Sequence, residues 1–228
     1  MKDFVIRTDK KEVYRLLGYG NSEPDALTES QIRDCISDIE NKSEPNHVYK
    51  VFDLERSVSG QLRLKGTSFV FDGSDAEKLL EECHKCILLA VTLGRKTDNM
   101  IMKAQVRNMA LAVITDCCAS VAVEDLCHQI NNCLEEQYLE QGLYLTDRFS
   151  PGYGDMPLEL QDKLCIMLNT ERTIGLTVTP AMVLTPTKSI TAVIGISDRP
   201  QPKRITGCSN CRLKDDCQFR KQDQTCGR

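Results

Sequence analysis

Tryptophan is absent from this 228-residue sequence, aromatic residues make up only 5%, and there are three histidines. So thin a supply of flat rings leaves little for stacking single-stranded nucleic acid. An excess of positive charge is lacking too. Lys and Arg number 29 against 33 Asp and Glu, a formal net charge of −4, whereas phosphate binding needs a concentrated basic surface. Long apolar runs are missing as well. The stretch Cys86 to Leu93 includes Thr92 and falls far short of the ~18 residues of a membrane span. The N-terminal stretch MKDFVIRTDKKEVYRLL interrupts every apolar run with charge, so it has no signal-peptide core, and a cytoplasmic location is expected. What remains is an ordinary globular balance, 41% hydrophobic and 27% charged. That suits one large domain, or one domain with a small appendage, and a core that needs no staples.

Cysteine is plentiful, with twelve in the chain. In a reducing compartment these are thiols or metal ligands rather than disulfides. Eight are scattered: Cys35, Cys83, Cys86, Cys117, Cys118, Cys127, Cys133 and Cys165. The other four, Cys208, Cys211, Cys217 and Cys226, crowd the C-terminal tail with two, five and eight residues between them. A C-x-x-C pair closes readily on one ion, and four thiolates fill a tetrahedral zinc site. Four cysteines hold an iron–sulfur cluster equally well. A tail of reactive thiols is the plain alternative. Lys203, Arg204, Arg212, Lys214, Arg220 and Lys221 would ease the crowding of thiolate charge, and otherwise read as a solvated face. Cys83-His84-Lys85-Cys86 looks like a metal pair but straddles a helix–strand junction, so buried thiols with an exposed His84 are expected there. Cys117 and Cys118 read as half-buried helix thiols.

Periodicity predicts a helix over 8–18 with Thr8 as N-cap, and a second from Asp25 or Thr28 to Ile39 with Ile32, Cys35, Ile36 and Ile39 on one face. A polar loop over 41–46 is followed by two or three short strands from Val48 to Phe71. Ser74 opens a helix, and Cys86 to Leu93 is a buried strand. Lys96 to Gln137 is one long helical pattern with a break expected between Asp116 and Ser120. Its predicted inner stripe is Met102, Val106, Met109, Ala110, Val113 and Ile114, then Val121, Leu126, Ile130 and Leu134. Pro157 starts a helix to Asn169, and 173–197 reads as Thr-, Val- and Ile-rich strands. The irregular order of elements favours an α+β fold, with long helices against a mixed, mainly antiparallel sheet. The division expected is 1–200 as the main domain and 201–228 as a Cys-rich tail.

Three stretches carry a resemblance. They are VTLGRKTDNMIMKAQ (Val91 to Gln105), DCCASVAVEDLCHQ (Asp116 to Gln129) with Ser120 and Glu124 in an S-x-x-V/A-E pattern, and RFSPGYGDMP (Arg148 to Pro157) with R-x-x-P-G-Y. The run from Thr173 to Pro186 and the segment EVYRLLGY, Glu12 to Tyr19, add to them. In this order the chain resembles the S-adenosylmethionine-binding activation domain of cobalamin-dependent methionine synthase, including its free-standing relatives, over residues 12–197. The resemblance implies a C-shaped α+β fold and S-adenosylmethionine contacts from Arg148 and the backbone of Pro151, Gly152 and Tyr153. Glu124 matches an acidic contact. The residue types suit that ligand: a guanidinium pairs with its carboxylate, an acid with its ammonium, and a Pro-Gly turn lets backbone approach an adenine edge. By itself, PGY is an ordinary turn.

The sequence departs from that family after Ser197, where SDRPQPKRITGC replaces a final strand and helical extension. It also lacks the D-x-H-x-x-G signature of a corrinoid-binding domain, since His47, His84 and His128 have no such context. Cobalamin would therefore come from a partner, a corrinoid-binding protein or cobalamin-dependent methyltransferase. The implied role is to present the methyl group of S-adenosylmethionine to reduced cobalt, which needs position and orientation rather than acid or base residues. A ligand-free adaptor that docks such a methyltransferase, and a redox module built on the cysteine tail, are the other readings.

Overall fold

A computed structural model describes residues 4–20, 22–57 and 60–201. The first helix, α1 (Lys10–Leu16), is capped by Asp9, whose carboxylate accepts from Lys11 N at 2.8 Å. The cap therefore falls one residue beyond the expected Thr8. Helix α2 (Ala26–Lys42) starts at Asp25, which accepts from the amides of Leu27 and Thr28. Ile32, Cys35 and Ile39 are buried at helical spacing, as read from the sequence. The helix runs three residues beyond Ile39, because polar residues at a helix end mark a solvated turn as readily as a loop.

Strand β1 (Asn46–Arg56) pairs antiparallel with β2 (Leu62–Leu64), in register Leu54↔Leu64 and Arg56↔Leu62. Next come α3 (Ser74–Leu79) and β3 (Lys85–Thr92). Seven consecutive residues of β3 are buried, which explains its unbroken apolar run. Helices α4 (Arg95–Arg107) and α5 (Met109–Leu139) follow, then β4 (Tyr144–Leu145), α6 (Leu160–Leu168), α7 (Thr170–Ile174), β5 (Thr177–Val178), β6 (Leu184–Thr185) and β7 (Ser189–Ser197). Five strands form one sheet in the order β2-β1-β3-β7-β4, and β5 and β6 form a second. Leu54 N bonds His84 O while Glu44 N bonds Leu93 O, and His84 N bonds Ile196 O while Leu93 N bonds Lys188 O. The partner numbers fall along one chain as they rise along the other, so β1, β3 and β7 run antiparallel to their neighbours. The α+β class stands.

Two corrections concern the long helical stretch. The break lies at Asn108, extended at φ −164° and ψ 122°, and not between Asp116 and Ser120. Asn108 takes the cap role: its side-chain oxygen accepts from Ala110 N at 2.8 Å and its carbonyl from Ala112 N at 3.0 Å. Near Ser120 the hydroxyl bonds back to Asp116 O at 3.0 Å, and the helix continues. The second correction is to the stripe. Met102, Val106, Met109 and Val113 are exposed, while Thr97, Ile101 and Ala104 form the buried face of α4. A Thr and an Ala weigh little in a hydropathy pattern, so the apolar row that was legible was not the row that packs. Beyond the break Val121, Leu126, Ile130 and Leu134 are buried as expected.

The chain divides into two compact units. Among the described residues, one comprises 4–49, Leu89–Leu134 and Leu164–Thr191; the other comprises Lys50–Leu88, Glu135–Lys163 and 192–201. Buried apolar residues of the first include Val13, Ile32, Ile39, Val91, Leu126 and Ile130. Those of the second include Leu64, Phe69, Phe71, Leu80, Ile87 and Ile194. The expected tail of 201–228 lies, but for its first residue, outside the described residues.

Candidate functional site

The segment Arg148 to Pro157 lies within the second unit and is held at both ends. Before it, β4 pairs antiparallel with the C-terminal end of β7, Tyr144↔Ser197 and Leu145↔Ile196. Thr146 then exchanges bonds with Gly195, its amide to the glycine carbonyl at 3.0 Å and its hydroxyl oxygen accepting the glycine amide at 2.8 Å. Phe149 and Val193 exchange backbone bonds of 2.9 and 2.7 Å. This ladder buries Phe149 and leaves Arg148, one residue before it, half-buried. Side chains alternate along an extended segment, so pinning Phe149 inward sends Arg148 the other way.

After Phe149 the chain tightens. Pro151 is buried, Gly152 takes φ 86° and Gly154 φ 54°. Tyr153 N bonds Ser150 O, Met156 N bonds Tyr153 O, and Gly152 N bonds Met156 O, all at 3.0–3.1 Å. Both the Gly152 and Tyr153 amides are thus engaged within the loop. Among the described residues no backbone bond ends on the carbonyls of Pro151 or Gly152. The Tyr153 side chain stands outward, 47% exposed.

Asp155 fastens the far end, a role that pattern reading did not find. Its carboxylate accepts from Ser74 N and Ser74 Oγ, each at 2.7 Å, and from Asp75 N at 3.0 Å, while Asp155 N donates to Asp75 Oδ2 at 3.2 Å. The carboxylate therefore caps α3, whose preceding residue Gly73 has no side chain to do so. Close approach explains two glycines. A Cβ on Gly73 would lie 2.5 Å from Asp155 Oδ1, and one on Gly154 would run into the Asp75 carboxylate and lie 2.9 Å from the Phe149 ring. The acid of GDMP was in view in the sequence, but its partner is 81 residues away and no local pattern links them.

Arg148, Pro151, Gly152 and Tyr153 thus share one anchored loop. Glu124 belongs to the other unit, on α5, where it is exposed between buried Val123 and Leu126. Cys208, Cys211, Cys217 and Cys226 lie outside the described residues. Among the described residues no group of three or more His, Cys, Asp or Glu is placed to hold a metal ion. Cys83 and Cys86 are buried, and burial holds the Cys86 thiol far above its ordinary range, as it does Cys118. Such thiols stay protonated in the folded protein, and Cys118 is buried while its neighbour Cys117 is half-buried. A shallow depression lined by Glu82, His84, Asp198 and Arg199 includes no residue of the loop. No helix of the described residues is long and apolar enough to cross a membrane.

No family model matches the chain, and no curated protein matches it. Among solved structures it is similar to the crystal structure of the MetH reactivation domain bound to AdoHcy. The two share 13% identity at a TM-score of 0.60, over 91% of this chain and 77% of that one. The chain has the α+β fold of that activation domain.

Proposed function

We propose that this chain, having the fold of a methionine synthase reactivation domain, binds S-adenosylmethionine at the Arg148–Tyr153 loop and supports reductive methylation of a corrinoid held by a separate protein. The observation that carries the reading is the loop itself. An R-x-x-P-G-Y segment is stitched to β7 at one end and clamped to α3 at the other, with half-buried Arg148 and exposed Tyr153 in one short turn. The solved structure of similar fold carries AdoHcy, which is S-adenosylmethionine without its methyl group.

The groups present fit the ligand. Arg148 supplies two parallel N–H donors to the carboxylate, a charge-assisted pairing. The carbonyls of Pro151 and Gly152 suit the amino group of adenine, since the neighbouring amides are already engaged within the loop. The Tyr153 ring gives a wall. When bound, S-adenosylmethionine supplies a methyl group activated by its sulfonium, and a partner's reduced cobalt is the nucleophile. The work of this chain is placement, which is why no acid–base pair is assigned. The sequence has no corrinoid-binding signature, so the corrinoid belongs to the partner, a corrinoid-binding protein or cobalamin-dependent methyltransferase.

Calorimetric titration with S-adenosylmethionine tests this. Arg148→Ala should weaken binding by about 10- to 150-fold, the worth of a hydrogen bond to a charged group at about 1.5–3 kcal/mol. No heat with the wild type, or unchanged affinity in the variant, would remove the reading.

The four tail cysteines are proposed to hold a metal. Their spacing and the basic residues around them suit four thiolates on zinc or on an iron–sulfur cluster, and a cluster would also carry the electron that reductive methylation requires. Metal analysis with visible absorption on anaerobically purified protein separates the cases. Brown protein containing iron and sulfide identifies the cluster, colourless protein with about one zinc per chain identifies zinc, and metal-free protein removes the proposal.

A further inference from the structure

The apolar row that the sequence presents as core is, on α4 and the start of α5, an outside surface. Met102 is 53% exposed, Val106 89%, Met109 67% and Val113 53%. Met102 and Val106 are one helical turn apart on α4, Met109 and Val113 one turn apart on α5, and only Asn108 separates the two helices. Lys103 and Arg107, again four residues apart, make a second row immediately beside Met102 and Val106. Both are exposed, and among the described residues neither is paired with a carboxylate. The acids of this stretch are engaged elsewhere: Asp98 accepts from Thr187 N and Oγ1 at 2.8 Å, and Asp116 pairs with Lys188 at 2.8 Å. Scattered exposed apolar residues are ordinary, but four within twelve residues, beside unpaired cations, are not scattered.

We propose that this face docks a second protein whose contact surface is apolar with carboxylates at its rim. Charge selects the occupant. A second copy packed on this face would bring only the same basic row, with Asp98 and Asp116 already engaged and no free carboxylate of this stretch to meet it. The tail carries the same sign, with Lys203, Arg204, Arg212, Lys214, Arg220, Lys221 and Arg228 against Asp215, Asp216 and Asp223. An acid-rimmed partner neutralises the basic row and covers the methionines and valines, with Met supplying an adaptable contact. Four side chains suit a small, transient contact rather than a permanent one. The proposal does not depend on S-adenosylmethionine binding.

The test places p-benzoylphenylalanine at Val106 of the full chain in its native cells, and identifies the photo-crosslinked adduct by mass spectrometry. The adduct protein is then purified and titrated against wild type, Met102→Asp/Val106→Asp and Lys103→Glu/Arg107→Glu. We expect a heterologous protein crosslinked through a peptide rich in Asp and Glu. Binding should fall at least tenfold in each double variant, and several-fold when NaCl rises from 50 to 300 mM. If a variant loses its native circular dichroism, Lys103→Gln/Arg107→Gln replaces the charge reversal. Crosslinking only to a second copy, only to lipid, or to nothing overturns the proposal, as does a partner whose affinity ignores charge reversal and salt. S-adenosylmethionine titration of the same variants should match wild type, so a failure here is distinct from failure of the ligand reading.

Discussion

Asp155 does at the residue scale what the loop motif cannot do for itself. A turn with glycines at φ 86° and 54° has wide conformational freedom when unfolded, and Asp155 fixes it by turning three donors of α3 onto one carboxylate. Asp155→Ala should lower stability by about 1–2 kcal/mol, the usual cost of a lost N-cap, read as a lower midpoint in urea with an unchanged slope. Gly73→Ala should be at least as damaging. Its φ is 108°, and the added carbon would displace the Asp155 carboxylate. That Arg148, Pro151, Gly152 and Tyr153 share one loop was legible because they lie within six residues of one another. Asp155 was not, because its meaning depends on Ser74 and Asp75, which are remote in sequence and adjacent only after folding.

Elements show where a periodic pattern stops being informative. For α2 the apolar spacing and the buried face coincide, since Ile32, Cys35 and Ile39 all face inward. For β3 a continuous apolar run identified a strand buried on both faces. The 95–139 stretch went differently. No proline or glycine interrupts it, so the sequence reads through Asn108, although Asn is a good cap as well as a tolerable helix residue. Asn108→Ala should cost about 1 kcal/mol through loss of the bond to Ala110 N, and raise helix content slightly as α4 and α5 gain continuity. Denaturant titration and far-ultraviolet circular dichroism measure the two effects. A variant as stable as wild type would mean that tertiary packing, rather than the cap, sets the break. Strands β5 and β6 fall where Thr-, Val- and Ile-rich composition marked strands, whereas β4 and α7, with two and five residues, are too short for any period to register.

Thiol placement gives the whole molecule a test that depends on no ligand. Cys35, Cys83, Cys86, Cys118, Cys127 and Cys165 are buried, and Cys117 and Cys133 are partly exposed. Burial raises the pKa of Cys35, Cys86 and Cys118, which further suppresses the reactive thiolate. Those six should resist Ellman's reagent in native protein and react fully in guanidinium, with peptide mapping to assign each site. Fast native labelling of any of the six would contradict the packing described. The sequence by itself determined the α+β class, the strand at β3, the face of α2 and the turn at Pro151-Gly152, because each rests on a local period or on backbone chemistry. Tertiary structure alone decided where the long helix breaks, that Thr97 and Ala104 go inside while Met102 and Val106 stay outside, and that Asp155 closes the loop. Those outcomes turn on which remote residue arrives as a neighbour, and a hydropathy period records what a side chain prefers, not what the fold brings to meet it.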